Sequence, residues 1–311
     1  MIRASLLGPT ETFVIRISYM NINLEYYRVF YHTARAGSIS RAAQGLFISQ
    51  PAVSQSIKQL EEKIGGQLFF RTRKGIRLTG EGEVLFKYIE QAYNFIMTAE
   101  NKFSEMQNLA YGEIRIGAGD TLSRYYLLPF LEEFHRAYPG IKIQVTNRTT
   151  PETIGLLKNG SVDFGIINLP VSGDDQLEIR ETITIQDCFV GGEAYRKLSD
   201  SAIPLKELVA YPLLLLEKAS NTRRYIDSYA KSHNVEILPE IELGSYDLLV
   251  QFARIGLGIS CVVKDFVAEE FENGGLYEIR LKEEIPPRKI GVITLKDVPL
   301  SAAARKFIKL L

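Results

Sequence analysis

Cysteine, histidine and long apolar runs are all scarce in this 311-residue chain. The two cysteines, Cys188 and Cys261, have no CxxC spacing, so at most one bridge could form; the usage suits a reducing compartment. The three histidines, His32, His135 and His233, are about a hundred residues apart, with no HxxxH pair or His/Cys cluster, so no metal site is expected. No apolar run reaches the roughly 18 residues that span a bilayer, which excludes a transmembrane segment. There is no GxSxG turn around a nucleophile and no GxxxxGK[ST] phosphate loop. Gly256-Leu257-Gly258 is a lone GxG following a helical pattern, which suits backbone packing better than a nucleotide. Cys188 sits in a strand-like run and reads as an inert core thiol. No catalytic residue, cofactor or metal is expected from these patterns.

Net charge is also missing: 37 Lys+Arg balance 37 Asp+Glu. The zero hides an asymmetry. Residues 20–80 hold nine Lys/Arg against three Asp/Glu, residues 81–112 hold two against five, and residues 113–311 hold 24 against 28. A basic first domain on an acidic chain points to a polyanion at one end only. Residues 1–19 have no continuous apolar core and no cleavage site. They read as a tail, with Met20 as an alternative start, and the chain is expected to be cytoplasmic.

Within the basic segment, Leu24, Tyr27, Val29, Phe30 and Tyr31 have helical spacing up to Gly37. Ser40 is expected to cap a short helix from Arg41 to Leu46 carrying the small pair Ala42-Ala43. Ser49 caps a third helix with Pro51 in its first turn. There Val53, Ile57, Leu60 and Ile64 form an apolar stripe opposite Ser54, Gln55, Lys58 and Gln59, and Gly65-Gly66 ends the helix. A hairpin over residues 67–79 follows, with Arg71, Arg73, Lys74 and Arg77 around Gly75. These elements make a winged helix-turn-helix.

From Gly80 to about Ala110 a single long helix is expected. Leu85, Tyr88, Ala92, Phe95, Ala99, Met106 and Leu109 recur in steps of three and four, broken by Lys102 and widened by Ile89, Ile96 and Phe103. A stripe of that length suits a coiled-coil-like dimer seam; the alternative is a helix packed on its own chain. Beyond Gly112, strands alternate with helices. Strands are expected at residues 113–118, 141–145, 162–167, 189–190, 213–216, 240–243, 259–263 and 289–295. Helices are expected at 122–138, 152–158, 222–232, 247–255 and from Ala302. This is an α/β module of two small lobes.

The runs Gly37-Ser-Ile-Ser-Arg-Ala-Ala43, Ile48-Ser-Gln-Pro-Ala-Val-Ser54 and Ile57-Lys-Gln-Leu-Glu-Glu62, with Leu78-Thr-Gly-Glu-Gly82, resemble the amino-terminal domain of LysR-type transcriptional regulators. The resemblance continues through Tyr126-Leu-Leu-Pro129, Gly160-Ser-Val-Asp-Phe-Gly165, residues 216–224 and Gly256-Leu-Gly-Ile-Ser260, so it covers residues 20–311. It implies a regulator that binds double-stranded DNA, with a homodimer through the long helix or a homotetramer, and contact with RNA polymerase. It also implies a carboxyl-terminal module resembling type II periplasmic binding proteins, with a small-molecule effector in its cleft. The expected division is a tail (1–19), a winged helix-turn-helix (20–80), a linker dimerisation helix (81–111), lobe I (112–184 and 287–311) and lobe II (185–286). A secreted solute-binding protein, or an enzyme on the same scaffold, would need a signal or a nucleophile constellation that the sequence lacks.

Major-groove reading needs donors and acceptors at the start of the recognition helix. Gln50, Pro51, Ser54 and Gln55 supply them, and the positions matching Gln50, Pro51 and Ser54 commonly face bases in the resembled family. Ser40, Arg41, Ser49 and Lys58 suit phosphates. Arg73 and Lys74 at the wing tip would reach a minor groove or stay solvated. For the effector, hydroxyl-rich loops at strand ends are the candidates. They comprise Gly119, Thr121 and Ser123, then Thr149 and Thr150, then Ser220, Asn221 and Thr222, with Asn168 beside them; each hydroxyl could instead be an ordinary helix cap. An anionic metabolite fits such loops, but Asp120 opposes a bare dianion unless Arg223 or Arg224 compensates.

Overall fold

A computed structural model describes residues 22–72, 75–107 and 112–311. The expected tail, the wing-tip residues Arg73 and Lys74, and Leu109 lie outside the described residues. The chain divides into two compact units at Glu90–Gln91.

The first unit packs three helices and a hairpin: α1 (Leu24–Ala36), α2 (Ile39–Leu46), α3 (Gln50–Ile64), β1 (Phe69–Thr72) and β2 (Gly75–Leu78). α1 ends on Gly37 and α3 on Gly65, both at positive φ, where a side chain would be strained. Val29, Ala42, Ala43, Leu46, Val53 and Ile57 form one core cluster, and Phe30, Leu60 and Leu68 a second. The small Ala42-Ala43 pair is buried where α2 packs on its neighbours. One expectation is corrected here: Ser38, not Ser40, caps α2, accepting a hydrogen bond from the Arg41 amide at 3.4 Å. Ser38 has the extended backbone a cap requires, so the helix starts at Ile39 and leaves Ser40 exposed in its first turn.

The hairpin is fixed to the helices by two devices. Glu61 Oε1 on α3 accepts from the amides of Leu68 (2.8 Å) and Phe69 (3.4 Å). The Ile76 amide donates to the Gly37 carbonyl at 3.2 Å, and a Cβ at Gly75 would stand 2.5 Å from that same oxygen. Thr79 then opens the long helix α4 (Gly80–Gln107), accepting from the Gly82 amide and donating to the Gln67 carbonyl.

The second unit has two five-stranded sheets. The chain runs β3 (Gly112–Ala118), a short α5 (Asp120–Leu122), a π-helical turn (Ser123–Leu127), α6 (Leu128–Ala137), β4 (Ile141–Asn147), α7 (Thr150–Lys158), β5 (Phe164–Asn168) and β6 (Leu177–Ile185). The second lobe follows with β7 (Asp187–Gly191), α8 (Leu205–Leu208), β8 (Leu213–Leu216), α9 (Asn221–Ser232), β9 (Ile241–Leu243), α10 (Tyr246–Arg254), β10 (Ile259–Val263), α11 (Ala268–Glu272) and β11 (Tyr277–Ile279). The chain then returns through β12 (Arg288–Leu295) and α12 (Ala302–Ile308). Strand order is β4-β3-β5-β12-β6 in one sheet and β11-β7-β10-β8-β9 in the other. β3 pairs in parallel with β4 and β5, as β8 does with β10 and β9. The single helix expected over 122–138 is therefore broken by a π-helical turn, and β6, β11, α8 and α11 are additions.

The seam expected on α4 is also revised. Leu85 packs on the first unit's core beside Phe30. Phe95 lies over Gly160 beside Leu157. Polar groups hold the same inward side: Gln91 Nε2 donates to the Lys158 carbonyl at 2.7 Å, Asn94 Nδ2 to the Asn159 carbonyl at 3.1 Å, and Arg115 Nη2 to Thr98 Oγ1 at 2.6 Å. The outward stripe is Tyr88, Ala92, Ile96, Ala99 and Phe103, all exposed. Leu85 leaves the expected stripe because it packs on the first unit's core, and Phe95 because it shares with Gln91, Asn94 and Thr98 a helix face that meets the chain itself.

Candidate functional site

The first candidate is the exposed side of α3. Its cap, Ser49, accepts from the Ala52 amide at 3.3 Å, which leaves its own proton for an acceptor such as phosphate. Gln50, Pro51, Gln55 and Lys58 are exposed and Ser54 half-buried, while Val53, Ile57 and Leu60 on the opposite face are buried. Pro51, Ser54, Gln55 and Lys58 line one wall of a groove of about 630 Å³ whose other wall is Phe69, Phe70 and Ile76 of the hairpin. Ser40 and Arg41 are exposed on α2. Lys58 Nζ lies 3.6 Å from Glu62 Oε1, an exposed pair weak enough to exchange for a phosphate. Phe47, in the turn between α2 and α3 at positive φ, is 94% exposed.

The second candidate is a cleft of about 470 Å³ between the two lobes of the second unit. It lies at the carboxyl ends of β3, β4 and β5 in one lobe and β8 and β9 in the other. Gly119, Thr121, Thr149, Thr150, Asn168, Ser220, Asn221 and Thr222 all line it. Ser123 does not: its hydroxyl donates to Asn147 Oδ1 at 3.1 Å beside the π-helical turn. Thr149 is committed to a capping box, donating to Glu152 Oε2 through its hydroxyl (2.6 Å) and amide (3.0 Å). Those bonds hold the Glu152 carboxyl below its usual range. Asn221 Nδ2 bridges the lobes at the cleft, donating to the carbonyls of Asn168 (2.7 Å) and Pro170 (3.2 Å).

The charges differ from those anticipated. Arg223 is buried and held by Asp227, Glu242 and the Leu216 carbonyl, so it faces away. Arg224 lines a neighbouring cavity of about 710 Å³ with Tyr225, Tyr229 and Pro286. Neither compensates Asp120. The cation on the cleft lining is Arg148, against Asp120, Glu152 and Glu217. Arg148 follows β4 directly, where sequence reading attended only to the threonines beside it. Both cysteines are buried, and burial pushes both thiols well above their usual range. Among the described residues no group of three or more His, Cys, Asp or Glu could hold a metal ion, and no helix is long and apolar enough to cross a membrane.

Residues 24–83 match the family described as "Bacterial regulatory helix-turn-helix protein, lysR family", and residues 107–311 match "LysR substrate binding domain". The HTH-type transcriptional activator CmpR of Synechocystis is 29% identical over 289 residues, covering 93% of this chain and 94% of that protein. A probable RuBisCO transcriptional regulator of Gracilaria tenuistipitata is 27% identical over 293 residues, covering 92% and 94%. Among solved structures, full-length CbnR complexed with its target DNA matches with a TM-score of 0.67 at 18% identity, covering 92% of this chain and 98% of that one. The effector-binding domain of QuiR in complex with shikimate matches with a TM-score of 0.57 at 19% identity, covering 64% and 94%. An exposed helix-turn-helix on one unit, a two-lobed α/β cleft on the other and these matches together place the chain in the LysR family of DNA-binding transcriptional regulators.

Proposed function

We propose that α3 reads base edges in the major groove through Gln50, Pro51, Ser54 and Gln55, while Ser40, Arg41, Ser49 and Lys58 hold phosphates. Arg73 and Lys74 extend the contact at the wing. The supporting observation is that Gln50, Pro51, Ser54, Gln55 and Lys58 are exposed or half-buried on one side of α3, whose other side is buried core. Regulation is by a small molecule in the inter-lobe cleft, which shifts the lobes toward a closed state by its differential affinity. The cleft's three carboxylates and one arginine argue against a bare dianion; a singly anionic metabolite bearing hydroxyls fits better. The chain works in the cytoplasm as a homodimer or homotetramer, without catalysis, and meets RNA polymerase at the promoter. The outward apolar stripe of α4 supports the dimer, since Tyr88, Ile96 and Phe103 are exposed while polar groups face inward.

A thermal-shift screen of metabolite anions on the whole chain tests the effector reading, because a ligand selective for the folded state must stabilise it. A hit whose effect disappears in the Thr121→Val and Thr222→Val variants supports the cleft. A hit that stabilises both variants as well as the native protein moves the site elsewhere.

A further inference from the structure

Arg288 is the first residue of β12 and Asp187 the first of β7, the two strands that open where the chain passes between the lobes. Their side chains, 2% and 0% exposed, form a two-pronged ion pair: Nε to Oδ2 at 2.5 Å and Nη2 to Oδ1 at 2.9 Å. The guanidinium does not end there. Nη1 donates to Asn168 Oδ1 at 2.5 Å, and Nη2 to Thr222 Oγ1 at 3.2 Å. The Tyr225 ring lies 5.7 Å from its centre. Asn168 and Thr222 come from opposite lobes, and both line the cleft.

An arginine can only donate. The Asn168 amide is therefore fixed with its oxygen toward Arg288, so its Nδ2 is the branch left for a ligand. Thr222 Oγ1 already accepts, which leaves its hydroxyl proton free. No acceptor for either donor is found among the described residues. The other cleft hydroxyls, such as those of Thr121 and Ser220, can turn either way; the Asn168 amide cannot turn over without setting N–H against N–H, and the Thr222 proton points away from the guanidinium whose bond its oxygen accepts. From this geometry we infer that Arg288 sets the hydrogen-bond polarity of the cleft, making Asn168 and Thr222 a donor pair that selects a ligand oxygen accepting from both lobes, such as a carboxylate. Arg288 is a positioning residue, since it acts through Asn168 and Thr222. The inference rests on the effector reading of the cleft and specifies its ligand.

Acetate and acetamidinium are planar and nearly the same shape, but one only accepts hydrogen bonds and the other only donates. Both are titrated into the full chain while the Thr222 methyl signal is followed by NMR, which confines the readout to this corner of the cleft. Native protein favours acetate. Asn168→Ala removes the fixed donor without adding charge to a site where the probes are oppositely charged, so the acetate-to-acetamidinium affinity ratio falls by about tenfold, the scale of one hydrogen bond. Arg288→Lys keeps a charge for Asp187 but releases the Asn168 amide to flip, so selectivity moves toward unity while the protein stays folded. An unchanged ratio in Asn168→Ala overturns the inference and leaves the effector reading intact. An unchanged ratio in folded Arg288→Lys removes Arg288 from the positioning role. If neither probe perturbs Thr222 in the native protein, the inference fails, and the effector reading then stands or falls on the metabolite screen.

Discussion

Gln50 is exposed on the first turn of α3, one residue past the cap and next to a proline that gives up no hydrogen bond there. A side chain so placed can present both donor and acceptor to one base edge. Gln50→Ala is expected to cost about 1–3 kcal/mol of discrimination at one base position in each half-site, with little loss on random duplex. Lys58→Ala should instead weaken all sequences alike and reduce the salt slope by about one unit. Fluorescence anisotropy on specific and scrambled duplexes at several salt concentrations separates the two. Such residues were legible because capping and exposure are local properties: Ser49 is three residues from the amide it caps. The cleft hydroxyls were legible for the same reason. Arg288 was not, because its partners Asn168 and Asp187 are 120 and 101 residues away, and no local pattern marks a pairing of that range.

At the scale of elements, α4 separates two roles that its sequence pattern had merged. Steps of three and four mark an apolar stripe but do not say which edge faces the chain; Gln91, Asn94 and Thr98 settle that through bonds to groups far along the sequence. If the outward stripe is the proposed dimer seam, Ile96→Asp places a charge in it and yields monomers that keep their fold. Phe95→Asp should instead destabilise the protein itself, by about 2–5 kcal/mol, because the ring packs on Gly160. Sedimentation together with urea unfolding distinguishes the pair, and monomers from Phe95→Asp without loss of stability would return Phe95 to the seam. The wing depends on α3 in a similarly specific way. Glu61→Ala strips the Leu68 and Phe69 amides of their acceptor, an expected cost of about 1–3 kcal/mol in denaturant unfolding. Buried strands such as β8, four leucines in a row, stood out as continuous apolar runs. β6 did not, although Leu177, Ile179, Ile183 and Ile185 alternate with polar residues, because an edge strand leaves much of that alternation exposed.

Across the whole molecule, the charge asymmetry and the change of periodicity near Gly112 carried most of the architecture: a basic helical unit and an acidic α/β unit. The mixed sheets were less legible, since the antiparallel pairing of β12 with β5 and β6 joins segments more than a hundred residues apart. Its consequence is functional, because β12 brings Arg288 to the junction between the lobes, behind the cleft. The central proposal is that α3, presented twice by a homodimer, reads a particular DNA sequence. Selection of binding sites from a random duplex library by the full chain, repeated with Gln50→Ala, tests it most directly. The account predicts that the native protein enriches a dyad-symmetric sequence, and that the variant loses preference at one position in each half-site, symmetrically. Enrichment of no sequence, or of the same sequence with undiminished preference at every position in Gln50→Ala, would contradict it.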